Sequence, residues 1–322
     1  MKEDHNQRLG FGFDKRRQGA RSFDEHRRSR QAESKSHLKE IRIAEAKAQL
    51  LSTEKIDEVL GLLGGGKEAT VLLARESQSS DYVCAKVFRY YTSTIRKRLR
   101  GTRHVTEEDM ANLAARQEYW NLTEMYDAGI PVPKPRHLIG NIVVMDYISV
   151  DDNQVPAPLL REVDLTENHD PEDMLFEALD ILADLFLNIQ FIHGDYSEHN
   201  LMVTQNGLVT MDVSQSVQYN QKTFIETQVR IRIDRAVNLL ETDIHNVNQY
   251  FQKRYRLSVD PVEIKEEIIQ ELPEHLQDFL TEKTYDIRPE SMLSIQAYMA
   301  KQAYWNEGVK KISGRSKQSL KR

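Results

Sequence analysis

The chain has 322 residues, 39% hydrophobic and 29% charged, with a formal net charge of −6. That length exceeds one small domain and suits two packed lobes with extensions, with enough apolar residues for a real core beneath a polar surface. A single cysteine, Cys84, excludes an internal disulfide. The start of the chain is polar and has no signal-peptide pattern, and no apolar run approaches the length of a membrane span, so a reducing, cytoplasmic setting without a membrane partner is expected.

Residues 1–40 carry 11 Lys/Arg against 7 Asp/Glu, few apolar positions and no period, and read as disordered or loosely helical. Residues 309–322 carry 6 Lys/Arg and no acid, so an acidic body has two basic ends. Such ends suit contact with RNA or another polyanion, but without aromatic or motif context a solvated tail is the better reading. Residues 40–60 show helical spacing (Ile41, Ile43, Ala46, Leu50, Leu51) and lead into a turn, after which comes Gly64-Gly65-Gly66. Two strands follow, Thr70–Ala74 and Tyr82–Phe88, joined by a polar turn. Residues 90–106 form a basic, threonine-rich loop. A helix is expected over 107–127, capped by Thr106, with acids in its first turn and stopped by Gly129 and Pro131. Pro131, Pro133 and Pro135 force an extended connector, and Ile142–Met145 reads as a short buried strand.

The second half is mostly helical. An apolar helix spans 171–191. Leu201–Thr204 and Leu208–Val213 flank Asn206-Gly207, a strong hairpin signal. Further helices cover about 224–256 and 261–280. Strands first and helices later describe a bilobal α+β architecture. The boundaries expected are a basic extension over 1–50, a small β-rich lobe over 51–148, a helical lobe over 149–300 and a basic tail over 301–322.

The chemistry concentrates in His193-Gly194-Asp195-Tyr196-Ser197-Glu198-His199-Asn200. A kinase catalytic loop needs a carboxylate to orient the attacking hydroxyl and an amide oxygen five residues later to hold a metal, and Asp195 and Asn200 have that spacing. Asp212 ends the hairpin where the second metal ligand belongs, and two oxygens on neighbouring loops suit Mg²⁺. Any one of these residues alone would more often be a turn residue; in this order, with β-runs between them, that is the weaker reading. Val83-Cys84-Ala85-Lys86 resembles the kinase strand whose lysine holds phosphates. Its expected partner is Glu118, mid-helix among Leu113, Tyr119 and Leu122, with Glu124 the second choice. The glycine run fits a degraded phosphate-covering loop, Gly64-x-Gly66-x-x-Ala69. It nearly matches Walker A, but Glu68 replaces the metal-binding hydroxyl and a strand follows instead of a helix.

In this order these residues resemble the RIO family of atypical protein kinases, most closely its first subfamily. The matching pieces are Gly66-Lys67-Glu68-Ala69, Ala85-Lys86-Val87, Ala128 to Pro133, Val144 to Ile148, Pro156 to Leu160, His193-Gly194-Asp195 with Ser197 and Asn200, and Asp212-Val213-Ser214-Gln215-Ser216-Val217. The resemblance covers about residues 55–256. It implies a kinase-like fold without the usual activation loop and substrate-docking subdomain, an ATP site with Mg²⁺ (Mn²⁺ as an alternative), and phosphorylation of serine or threonine on protein substrates and on the chain itself. It implies nucleotide contacts from Gly64, Gly65, Gly66, Lys67, Glu68, Lys86 and Glu118. It also implies that Met145 gates the adenine pocket, with Asp146 and Ile148 offering backbone hydrogen bonds. Asp195, Asp212 and Lys86 would be catalytic, and Asn200 and Asp212 would hold metal. The resemblance also brings ribosomal RNA into view as a partner of the basic ends, and an ATPase switch in small-subunit maturation as the alternative function. The segment from Val217 to Leu239 is longer than the family pattern. Self-phosphorylation is expected within 90–106, where Thr92, Ser93, Thr94, Thr102 and Thr106 sit among five arginines and lysines.

Overall fold

The computed structural model describes residues 43–66, 68–89, 106–150, 155–221 and 224–281. The chain divides into a unit ending at Leu272 and a second beginning at Pro273. The candidate site lies wholly in the first.

The first unit opens with α1 (residues 43–51) and a five-stranded antiparallel sheet in the order β1-β2-β3-β5-β4. The strands are β1 (Ile56–Gly65), β2 (Ala69–Glu76), β3 (Tyr82–Phe88), β4 (Pro135–Ile139) and β5 (Ile142–Asp146). Side chains alternate across the sheet. Leu72 and Ala74, Val83 and Ala85, and Ile142 and Val144 form one core with Ala46 and Leu50 of α1. In β3 the alternation therefore turns Cys84 and Lys86 to the opposite face.

Two expectations for this lobe need correction. The helix expected over 40–60 stops at 51, and ten residues of strand follow. The strand takes in Gly64 and Gly65, opposite Val71 and Thr70, so the turn expected ahead of the glycine run is strand as well. The proline connector also yields a strand, β4. Its first residue, Pro135, stands at the sheet edge, where a missing N–H costs no ladder bond.

Helix α2 (Glu107–Asp127) runs where the periodicity placed it. Thr106 accepts from the Asp109 N–H, and the Asp109 carboxylate accepts from the Thr106 N–H, a reciprocal cap. α2 packs on β3, β4 and β5 and on the turn after Asp212.

The helical lobe is built on α3 (Pro171–Leu187) and α4 (Glu226–Tyr255). Between them lie β6 (Phe191–Ile192), the hairpin β7 (Leu201–Thr204) and β8 (Gly207–Thr210), and β9 (Val217–Gln218), which pairs with β6. α3 ends four residues sooner than expected because Gln190 takes a left-handed conformation and redirects the chain into β6. The chain after Val217 leads into the first turns of α4, where Val229, Ile233 and Ala236 are buried. The helix expected over 261–280 is two, α5 (Pro261–Gln270) and α6 (Glu274–Thr281), separated by Pro273.

Candidate active site

Lys86 projects from β3 at 8% exposure and meets two carboxylates. Its Nζ lies 2.7 Å from both oxygens of Glu118 on α2 and 2.9 Å from Oδ1 of Asp212. Glu118 is buried and Glu124 exposed, so the structure pairs Lys86 with Glu118. Burial pulls the Lys86 ammonium down, but the Glu118 and Asp212 carboxylates outweigh it and hold it above its usual range. Burial pushes the Asp212 carboxyl up; Lys86 and a hydrogen bond from Ser214 overcome that and keep it ionised.

Removal of a solvent-facing lysine would spare stability, but removal of Lys86 strands Glu118 uncompensated. Lys86→Ala is therefore expected to destabilise the fold by about 3–5 kcal/mol as well as to impair function. Replacing both partners by methionine should restore most of the stability and none of the activity, as denaturant unfolding beside a transfer assay would show.

The loop carrying Asp195 is held from beneath. His193 is fully buried; burial holds its imidazole below the usual value and neutral. Its Nε2–H donates to the Met211 carbonyl (3.0 Å), and its Nδ1 accepts from the Asp195 N–H (3.3 Å). Gly194 has φ +79°, and a Cβ there would stand 3.3 Å from the Gln215 carbonyl, so the position usually filled by arginine in kinases requires glycine. Asn200 donates its amide to the Asp195 carbonyl (2.7 Å) and to Oδ2 of the Asp195 side chain (3.2 Å), which leaves its own amide oxygen as the ligand atom. The Asn200 carbonyl takes the Met211 N–H at 2.8 Å, which brings Asn200 beside Asp212. Asp212 itself is left-handed (φ 55°, ψ 63°).

Among the described residues no cluster of three or more His, Cys, Asp or Glu could hold a metal ion. The Asn200 amide oxygen and the Asp212 carboxylate, on neighbouring loops, could together hold a hard cation that keeps waters and shares phosphate oxygens, as Mg²⁺ does.

The residue that sequence reasoning missed is Asp243. On α4 it is fully buried and accepts from the Gly194 N–H (2.8 Å) and the Tyr196 N–H (3.0 Å). Burial raises its carboxyl to about 7 against the pull of those two donors. An acid raised in the folded state contributes stability below its unfolded value and loses it as pH rises through the folded one. Wild-type stability should thus fall relative to Asp243→Asn as pH rises from about 4 to about 7. Paired urea titrations across that range check the sign.

The remaining nucleotide-binding candidates are placed unevenly. Met145 is buried on β5 opposite Cys84. The Asp146 N–H donates to the Lys134 carbonyl (2.9 Å), and its carboxylate is held by Arg136. The Ile148 carbonyl accepts from the Ala157 N–H. Gly66 donates its N–H to the Ala69 carbonyl, and Glu68 is exposed. Lys67 and residues 90–105 lie outside the described residues. Thr106, the last of the suggested phosphorylation positions, caps α2.

The sheet-and-helix lobes, with this site between β3, α2 and the two loops, define a protein-kinase-like bilobal fold. The chain belongs to the RIO family: a family model described as the RIO domain matches residues 71–264. It is 29% identical over 218 residues to "Serine/threonine-protein kinase RIO1" of Caenorhabditis elegans, covering 64% of this chain and 39% of that protein. It is 28% identical over 205 residues to "RIO-type serine/threonine-protein kinase Rio1" of Thermoplasma acidophilum, covering 61% of this chain and 98% of that protein. The matched region thus spans about two fifths of the length of the nematode relative. A solved Rio2 kinase from Chaetomium thermophilum, described as an ADP/Mg²⁺-phosphoaspartate complex, shares the fold. Its TM-score is 0.50 at 17% identity, over 80% of this chain and 75% of that one.

Proposed function

We propose that the protein is an ATP- and Mg²⁺-dependent serine/threonine protein kinase that also phosphorylates itself. The observation that carries this reading is Lys86, which bridges Glu118 and Asp212 and so ties the sheet, α2 and the metal-ligand loop into one charged centre. Family membership and the names of the kinase relatives support it.

The roles follow from the geometry. Lys86, kept charged and oriented by Glu118, would hold the phosphates. Asp212 and the amide oxygen of Asn200 would hold Mg²⁺, which when bound neutralises charge on the phosphate oxygens. Asp195 would orient the substrate hydroxyl and accept its proton. With the Asp146 N–H committed to Lys134, an adenine contact from this residue falls to its carbonyl, beneath Met145. The backbone around Gly64–Gly66, with Lys67 and Glu68, would cover the phosphates.

The experiment is incubation with radiolabelled Mg-ATP, with and without a protein acceptor, and mass-spectrometric mapping of the product. Label on serine or threonine, within 90–106 for self-modification, supports the reading. Release of free phosphate with no labelled protein overturns it in favour of an ATPase. The buried, reduced Cys84 fits a cytoplasmic setting, and RNA contact through the basic termini remains part of this proposal, testable by filter binding.

A further inference from the structure

Asn121 lies one turn beyond Glu118 on the same face of α2 and is fully buried. Its amide nitrogen donates both hydrogens to the segment that follows Asp212, to the Val213 carbonyl at 2.8 Å and the Ser216 carbonyl at 3.3 Å. Gln117 donates to its amide oxygen at 2.8 Å, which fixes the direction of the amide. A buried side chain whose polar atoms are all matched in this way holds its partners in one geometry.

We infer that Asn121 is a positioning residue that locks α2 to the Asp212 segment, so that the Lys86–Glu118 pair and the metal-binding carboxylate move as one body. The inference rests on the proposed phosphotransfer site. Two holds converge on Asp212 from the same helix. Glu118 acts through Lys86 on the side chain, and Asn121 acts on the backbone immediately after it. The second hold is needed because Asp212 sits in a left-handed conformation that a non-glycine residue keeps only where its surroundings restrain it. The carbonyls that Asn121 grips cap the turn Val213–Gln215, in which the Ser216 N–H already returns to the Val213 carbonyl at 3.1 Å. Without the amide, two buried carbonyls lose a donor, and the turn is free to relax and carry the Asp212 carboxylate away from Lys86 and Asn200.

The test is calorimetric binding of ADP across a Mg²⁺ titration, together with the binding of ADP in EDTA and thermal unfolding. Wild type and Asp212→Ala come first. Mg²⁺ must strengthen ADP binding to the former and not to the latter; any other result rejects the site reading itself. With that in hand, Asn121→Leu, which keeps the volume and removes the donors, should raise the Mg²⁺ needed for half-maximal strengthening by about tenfold. Its affinity for ADP in EDTA should stay at the wild-type value. If the Mg²⁺ requirement is also unchanged, or if both affinities fall together, Asn121 only supports the fold and the inference is wrong. Should Asn121→Leu fail to fold, Gln117→Ala decides. Gln117 is half-buried and hydrogen-bonds the Asn121 amide oxygen, so the Mg²⁺ requirement should rise by about two- to threefold, and no change overturns the inference.

Discussion

Asp195→Ala is expected to slow phosphoryl transfer by about 10²–10⁴-fold while Mg-ADP binding stays near the wild-type level. The separation follows from how the loop is held. Asn200 reaches the Asp195 backbone carbonyl at 2.7 Å and the Asp195 side chain only at 3.2 Å, so truncation removes the weaker of the two contacts. The backbone of the loop is anchored independently, by Asp243 at Gly194 and Tyr196 and by His193 at Asp195 itself. The Asn200 amide therefore keeps its place when the Asp195 carboxylate is gone. Single-turnover transfer beside calorimetric ADP binding checks both halves. Transfer at the wild-type rate would remove Asp195 from the chemistry, and lost nucleotide binding would make it a structural residue.

Asp212→Ala is expected to do the reverse, abolishing the strengthening of ADP binding by Mg²⁺ and transfer with it. The structure adds a contrast with Lys86. Loss of Asp212 leaves Lys86 still paired with Glu118, so no buried charge is stranded. The carboxylate is also half exposed, with 46% of its side chain accessible, so its ion pair contributes little to folding. Asp212→Ala should therefore unfold near the wild-type denaturant midpoint, whereas Lys86→Ala should not. An equal loss of stability in the two variants would show that the triad of charges is a single structural cluster and would weaken its assignment to nucleotide binding.

What could be read from the sequence was local. Asp195, Asn200 and Asp212 are separated by fixed short spacings within a loop and a hairpin, and Lys86 sits in an unbroken apolar strand, so pattern sufficed to group them. Strand β1 was illegible because three register irregularities break its pairing with β2 and so destroy the two-residue alternation that identifies a strand. Leu60, Leu62 and Leu63, which periodicity would bury, are exposed. Glu118 was singled out partly for its apolar neighbours, yet Leu113 is 41% exposed; the burial comes from the sheet and from the loop beyond Asp212. Asp243 and Asn121 gave no local signal, since the backbone N–H and C=O groups they bond lie 47 to 95 residues away and are brought to them only by the fold. The break between α5 and α6 is visible in the sequence as Pro273.

Arg136 has a mechanical consequence. From β4 it reaches Glu76 at the end of β2, Asp81 in the turn before β3, and Asp146 at the end of β5, while His137 adds a second contact to Glu76. The edge of the sheet where the chain leaves for the helical lobe is thereby riveted into a plate that extends to Asp146. On the far side, Ile148 is bonded to Ala157, and Ser149 is bridged to Pro156, which begins a second plate. Along the backbone Tyr147 separates the two plates, and its ring packs edge-on against Tyr82 of β3. A change in the angle between the plates would turn on the backbone at that residue, within the limits set by the Lys86–Asp212 pair and the Asn121 amide, which also cross from the sheet and α2 to the helical lobe.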